Sequence, residues 1–426
     1  MFASGKRGKS DNVFSPSSTD PRGGLSTFRA LRHRDFFLLW TGLTVSAVGT
    51  WMQIVALSLL VLELTGGSAM ALATVSLAQA LSFLLFAPVG GSAADRFDKR
   101  RVLLLTQSLL MGLAVLLGLL TTRGLIRFWM IPLTAFASGA VLSFDQPTRN
   151  ALVAALVPKE HLMNAVSLQS AVFNGASTLG PALAGLALSR IGYAGNFFLN
   201  AASYLAVLAA LALLRSPMMR GAAGIRQRLL DSVWEALRYV RQDAVLPSAL
   251  SVYGVLLFFG PSAALMLPLF AVRATGLGPA QLGILFSAVG GGTVMGALLV
   301  ASLGDFRYKG RLLFGSVALW AAALALFISS STLYGAIGAL LLLGATQSVA
   351  GATVATLLQI RVPTEMRGRA MSLNTLLIMC VRPLGDFPVG GMITLLGLRP
   401  AVLLSATLVG LASLALLAIH PAVRTA

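Results

Sequence analysis

Arg382 and Asp386 stand four residues apart in an otherwise apolar stretch, with Pro383, Leu384 and Gly385 between them. In a helix that spacing puts both charges on one face. A charge at the centre of a bilayer costs about 2.5 to 3.5 kcal/mol on insertion scales, so such residues turn to the protein interior and pair. Two readings stay open. One is a permanent ion pair that cancels the cost around a Pro-loosened turn. The other is proton coupling, in which Asp386 exchanges Arg382 for a proton or a cationic substrate. The remaining polar residues at middle depth are uncharged: Thr50, Gln53, Gln79, Asn174 and Gln347. They are candidates to line a cavity and contact a substrate, the alternative being hydrogen bonds to neighbouring helices.

The rest of the inventory excludes most chemistry. Of 14 carboxylates, Asp95, Asp98, Asp145, Glu160, Asp305 and Glu365 fall where apolar runs end, Glu63 at the outer interface and six in the tail and central loop, which leaves Asp386 alone near the midplane. An intramembrane aspartyl protease needs two aspartates at depth and a serine protease of this kind a histidine at depth, so an enzyme is not expected. One cysteine, Cys380, and three histidines, His33, His161 and His420, rule out a disulfide framework and argue against a metal site. No nucleotide-binding loop is visible, and no cofactor is expected.

These residues need helices to hold them. With 57% hydrophobic and 11% charged residues in 426, the composition is that of a bilayer protein. Apolar runs of about 20 residues or more, the length that spans a bilayer, occur at 36 to 64, 69 to 94, 102 to 121, 127 to 147, 163 to 189 and 193 to 214. Six more follow at 246 to 272, 279 to 303, 312 to 330, 333 to 358, 369 to 395 and 400 to 419. Of the 32 Lys and Arg, 26 lie in the two tails and the alternate connections that would be cytoplasmic; five, Arg123, Arg127, Arg190, Arg273 and Arg399, lie in the others. That asymmetry predicts both termini in the cytoplasm. The net charge of +18 is therefore topology and membrane-lipid contact, and no nucleic acid partner is expected. Residues 1 to 35 read as a disordered tail, and 420 to 426 as a short one. Residues 215 to 245 form a linker in which Ile225, Leu229, Leu230, Val233, Trp234, Leu237 and Val240 recur at helical spacing, predicting an amphipathic surface helix.

The chain also repeats. A step of 205 residues carries Val157, Pro158, Glu160, Ala165, Ser167 and Leu168 onto Val362, Pro363, Glu365, Ala370, Ser372 and Leu373, and Leu179, Gly180 and Gly185 onto Leu384, Gly385 and Gly390. A step of 210 carries Asp95 onto Asp305. The predicted fold is an all-α membrane protein of twelve transmembrane helices, in two six-helix pseudo-symmetric halves, 36 to 214 and 246 to 419, around a central cavity.

The loop after the second span reads Gly91, Ala94, Asp95, Arg96, Lys99 and Arg100 in the pattern G-x-x-A-D-R-x-x-K-R. It resembles the signature loop of the major facilitator superfamily, with Ala93 in place of the usual Leu and Asp98 in place of a turn Gly. A weaker copy runs from Gly304 through Asp305 to Arg311. In detail the chain is similar to the branch of transmembrane secretion effectors, in the stretches FRALRHRDFFLLWTGLTVSAVGTWM, FDQPTRNALVAALVPKEHLMNAVSLQ, STLGPALAG and VWEALRYVRQD. Physically, Asp95 is suited to a helix N-terminus, and the start of helix eleven near Arg369 is the neighbour expected in such folds. Arg96 or Arg100 can pair with Asp145, expected to end helix four, forming a latch that holds the cytoplasmic side closed; the alternative is that these charges only set topology. Gly180, Pro181 and Gly185, as G-P-x-x-A-G, resemble the antiporter-associated motif of the family's exporters. There Pro181 would create a flexible bend, while plain helix packing explains the glycines equally well.

The function expected is a secondary carrier, a monomer in a bacterial cytoplasmic (inner) membrane, exporting small, partly apolar molecules by alternating access with protons as the driving ion. Arg outnumbering Lys by 27 to 5 suggests the bacterial source. The alternatives are a lipid or lysolipid translocator and a transport-inactive membrane sensor.

Overall fold

Hydrocarbon offers backbone N–H and C=O groups no partners, so a chain this apolar must satisfy them within helices. The computed structural model describes residues 26–215, 229–275, 277–304, 306–363 and 366–419, and every regular element among them is helical. The first half comprises α1 (Arg34–Leu64), α2 (Ala69–Arg96), α3 (Lys99–Thr122), α4 (Met130–Leu156) and α5 (Leu162–Leu213). A short helix, α6 (Leu229–Gln242), precedes the second half: α7 (Leu246–Phe259), α8 (Ala263–Leu269), α9 (Pro279–Leu303), α10 (Lys309–Ser329), α11 (Leu333–Arg361), α12 (Arg367–Leu376), α13 (Arg382–Leu396) and α14 (Leu398–Ile419).

Fourteen helices make twelve crossings. α7 and α8 form one span, interrupted at Gly260 and Pro261, and α12 and α13 form another, joined by a π-helical turn over Leu377–Val381. α5 conversely supplies two. Gly192, at φ 65° and ψ −169°, takes a backbone conformation that only glycine adopts without strain. On either side of it the chain lies against the same part of α1: a methyl group on Gly180 would come 2.6 Å from Trp51 Cβ, and one on Gly49 would come 2.4 Å from Ser203 Oγ. The chain therefore doubles back at Gly192.

The spans match the apolar runs closely except at α4. Pro147 ends the run at 127 to 147 in the sequence, yet α4 continues through it to Leu156. Asp145, expected at a helix end, is therefore about 16 Å inside that helix by its rise per residue, and it is 1% exposed. The expected tail over 1 to 35 is also shorter than predicted. Ser26–Arg32 form a 3-10 segment, Ala30 is fully buried, and its amide donates to Asn164 Oδ1 at 2.9 Å. Residues 1 to 25, 216 to 228 and 420 to 426, with Ile225, Asp305, Glu365 and His420, lie outside the described residues.

The repeat read in the sequence is a repeat of contacts. Gly180 abuts α1, and its partner Gly385 abuts α7, where a methyl group would come 2.0 Å from the Phe258 carbonyl oxygen. Gly185 abuts the start of α9 at Pro279 and Ala280, and its partner Gly390 abuts the start of α2 at Ala73 and Ala69. The two halves are thus built alike and meet through equivalent helices. Outward faces are apolar, with Leu85, Leu105 and Leu298 each more than 60% exposed, as lipid contact requires. The largest buried cluster runs through both halves, from Val55 and Phe197 in the first to Trp320, Phe270, Phe314 and Phe327 in the second, where α9 and α11 also lie.

Within that half α9 meets α11 backbone to backbone, so a methyl group on Gly292 would come 2.1 Å from the Leu341 carbonyl oxygen, whereas Gly338 on α11 faces open space. Gly292→Ala is expected to cost about 1 to 3 kcal/mol by forcing the helices apart, and Gly338→Ala to gain about 0.5 to 1 kcal/mol. Thermal unfolding of the two variants in detergent checks this; equal midpoints would contradict the packing.

Candidate functional site

The halves close against each other at one end of the bundle. α5 and α9 approach at Gly185, Gly283 and Gly290; at Gly283 a methyl group would come 2.5 Å from the Pro181 carbonyl oxygen. Ser287 on α9 donates to the Thr178 carbonyl at 2.6 Å. α2 and α13 approach at Ala69, Ala73 and Gly390. These contacts run from mid-helix toward the end with few Lys and Arg. At the opposite, basic end, α12 packs on α6 and α11, with the Arg369–Glu235 ion pair holding it to α6, and the first arm of α5 exposes Val166 and Phe173. The space between the halves is therefore approached from the basic end.

Asp386 sits at the closed junction, 1% exposed. Its Oδ1 accepts the Ser262 amide at 2.9 Å, at the first turn of α8, and the side chain of Ser76 on α2 lies beside it. One carboxylate on α13 thus touches two other helices, α8 in its own half and α2 in the other. The ion pair expected with Arg382 is not formed: no ion pair joins the two among the described residues, because the carboxylate is turned to the start of α8. Arg382 instead lies near Tyr253 on α7, and its Nη2 is buried without a hydrogen-bond partner.

The gating residues are placed differently from the expectation. Asp95 is in the last turn of α2 and exposed, as is Arg96, and Gly91 is half-buried. The helix N-terminus is taken by Asp98, whose side chain accepts the Arg101 amide at 2.9 Å and caps α3; the departure from the turn glycine is thereby explained. Arg100 donates to the carbonyls of Ala212 and Leu214, at 2.7 and 3.2 Å, at the end of α5. Asp145 takes Arg149 at 3.4 Å, Thr106 at 2.9 Å and Gln107 at 2.6 Å. The latch pairing of Arg96 or Arg100 with Asp145 is absent here, and Arg369 is engaged by Glu235 rather than set beside Asp95.

Among the cavity candidates, Gln53 Oε1 accepts from Asn200 Nδ2 at 2.6 Å, joining α1 to the second arm of α5. Thr50 and Gln79 are exposed, while Asn174 and Gln347 are half-buried. Gly180, Pro181 and Gly185 serve close packing, and α5 keeps helical dihedrals through Pro181, departing from them only at Gly192. Two carboxylates matter more than the sequence indicates. Asp145 is as buried as Asp386, hidden from a sequence reading by Pro147. Asp243 lies between α6 and α7, outside the spans. It accepts the Val245 and Leu246 amides at 2.8 and 2.9 Å and pairs with Arg361 at 3.3 Å. Burial pushes its pKa up, but those two amides and the guanidinium outweigh it and hold the carboxyl below its ordinary range. The D at the end of VWEALRYVRQD was the available signal.

Twelve apolar crossings in two matched halves, closed at one end around a buried carboxylate, make the architecture of a multi-pass membrane transporter. The chain belongs to the transmembrane secretion effector family, whose model matches residues 25–425, within the major facilitator superfamily. It is 23% identical over 387 residues to macrolide efflux protein A of Streptococcus pyogenes, covering 88% of this chain and 93% of that one. It is 28% identical over 292 residues to the enterobactin exporter EntS of Citrobacter koseri, covering 67% and 68%. In fold it is similar to a bacterial homologue of the human lysosomal transporter Spinster in an inward-facing, unoccupied conformation, with TM-score 0.72 and 15% identity over 92% of this chain and 98% of that one.

Asp243 carries a pH prediction. A carboxyl depressed on folding contributes stability that is present above its ordinary pKa of 3.8 and is lost as pH falls through the lower folded value. Asp243→Asn should therefore lower the unfolding midpoint at neutral pH by about 2 to 4 °C and narrow its gap to wild type below pH 3.8. Unfolding scans across pH test this, and a gap independent of pH would contradict it.

Proposed function

We propose that this chain exports small, partly apolar molecules across a bacterial cytoplasmic membrane by alternating access, driven by proton entry, with both termini cytoplasmic. The two six-helix halves, 36 to 214 and 246 to 419, rock about the contact between them, and the linker 215 to 245 tethers them at the cytoplasmic face. The basic end of the bundle is that face, by the distribution of Lys and Arg. Relatives named for macrolide efflux and enterobactin export support outward transport. One chain contains both halves and the whole site, which suits a monomer solvated by membrane lipids.

The observation that carries the reading is the placement of Asp386. Its carboxylate accepts the Ser262 amide at the start of α8 and lies beside Ser76 of the other half. Protonation removes the negative charge that favours this helix start and weakens the contact between halves, so proton occupancy and the closed junction are linked. Proton uptake would belong to the outward-open state, where Asp386 is reached from outside, and proton loss to the cytoplasm would restore the charge that holds the junction closed. Thr50, Gln53, Gln79, Asn174 and Gln347 contribute polar surface to the path between the halves. Asp95, Arg96 and Arg100 would latch the cytoplasmic side in the opposite state, where α2 approaches α12.

Metabolite profiling of a deletion strain identifies the cargo. With that cargo in vesicles under an imposed pH gradient, Asp386→Asn should lose uphill export yet keep downhill exchange. Full uphill export by the variant would refute the coupling role. Asp95→Asn should slow transport sharply with membrane insertion intact, and an unchanged rate would remove the latch.

A further inference from the structure

Arg382 stands in the middle of the span formed by α12 and α13, with Asp386 near enough to act on it electrostatically but joined to it by no ion pair among the described residues. The guanidinium Nη2 is buried and unpartnered. Asp386, the natural partner four residues away, forms no ion pair with it and is spent on the start of α8. Around it converge α7, α11 and α13: Tyr253 of α7 stands near Arg382, and its hydroxyl reaches Gly351 of α11. The neighbouring wall is apolar at Leu377, whose side chain lies against Gly254. Arg382 as a whole residue is half-buried, not fully enclosed.

A buried donor left without an acceptor is unfavourable. Such an arrangement persists when an acceptor arrives during function. A planar guanidinium offers paired donors that match the two oxygens of a carboxylate or similar oxyanion, and a phenol hydroxyl adds a third. We infer that Arg382, with Tyr253, is an anion subsite that holds an acidic group of the cargo, while the apolar wall holds its carbon skeleton. The cargo class is thereby amphipathic organic anions. This rests on the export reading above, and it places specificity and proton coupling on adjacent residues of one helix turn: Arg382 for cargo, Asp386 for the proton.

The test uses the full-length protein in detergent with benzoate as the probe and uncharged benzamide as its control. Benzoate should raise the thermal unfolding midpoint of the wild type by about 2 to 4 °C at saturating concentration, and benzamide should not. The shift should vanish in R382Q and shrink in Y253F. R382M removes the unpartnered donor and should fold about as stably as wild type, so it serves if R382Q is unstable; it too should ignore benzoate. A wild type indifferent to benzoate, an equal response to benzamide, or a full benzoate shift in R382M overturns the subsite. Export can fail in the deletion-strain assay while this response stands, so the two readings are separable.

Discussion

A bilayer interior supplies no hydrogen bonds, and every other feature of this protein follows from that. Backbone groups are satisfied inside helices, so no other regular element occurs among the described residues. With lipid outside and apolar side chains inside, hydrophobic burial cannot distinguish one helix pairing from another. Close approach at small residues does so instead. The junctions between α5 and α9 and between α2 and α13 are set by glycines at which a single methyl group would collide with a facing backbone or side chain.

The same constraint makes each polar group at depth a commitment. Asp145 satisfies it fully, with Thr106, Gln107 and Arg149 gathered around one carboxylate, and its environment lies wholly within the first half. Asp386 satisfies it across the junction, through the start of α8 and beside Ser76. A group that is held inside one half cannot report on the relation between halves, whereas one that bridges them can. This difference, more than depth, is why the proposed coupling role falls on Asp386 and not on Asp145.

Charge at the basic end works at longer range. Arg100 caps the carbonyls that end α5, Asp98 caps α3, and Asp243 ties the turn into α7 to Arg361 at the end of α11. Each satisfies helix ends left open by the backbone. The signature loop is therefore a fastening of the first half in this conformation, and its charges meet other partners only if the halves close at that end.

Hydropathy determined the number of spans and the repeated residues the duplicated halves, while the family was legible from the resemblance of the signature loop, because a bilayer demands apolar runs of fixed length and glycine recurs where backbones touch. Gly180 with Gly385 and Gly185 with Gly390 were legible as a repeat and proved to be equivalent contacts. Partners were not legible. Arg382 and Asp386 share a helix face by spacing, yet the nearest acceptor and donor geometry came from α8, which folds back to the carboxylate from 124 residues away in sequence. Pro147 reads as a helix end, but packing of α4 against α2 and α3 carries the helix through it and buries Asp145. Sequence periodicity is a property of one helix at a time; which charge meets which is decided where several helices converge, and only the tertiary structure contains that.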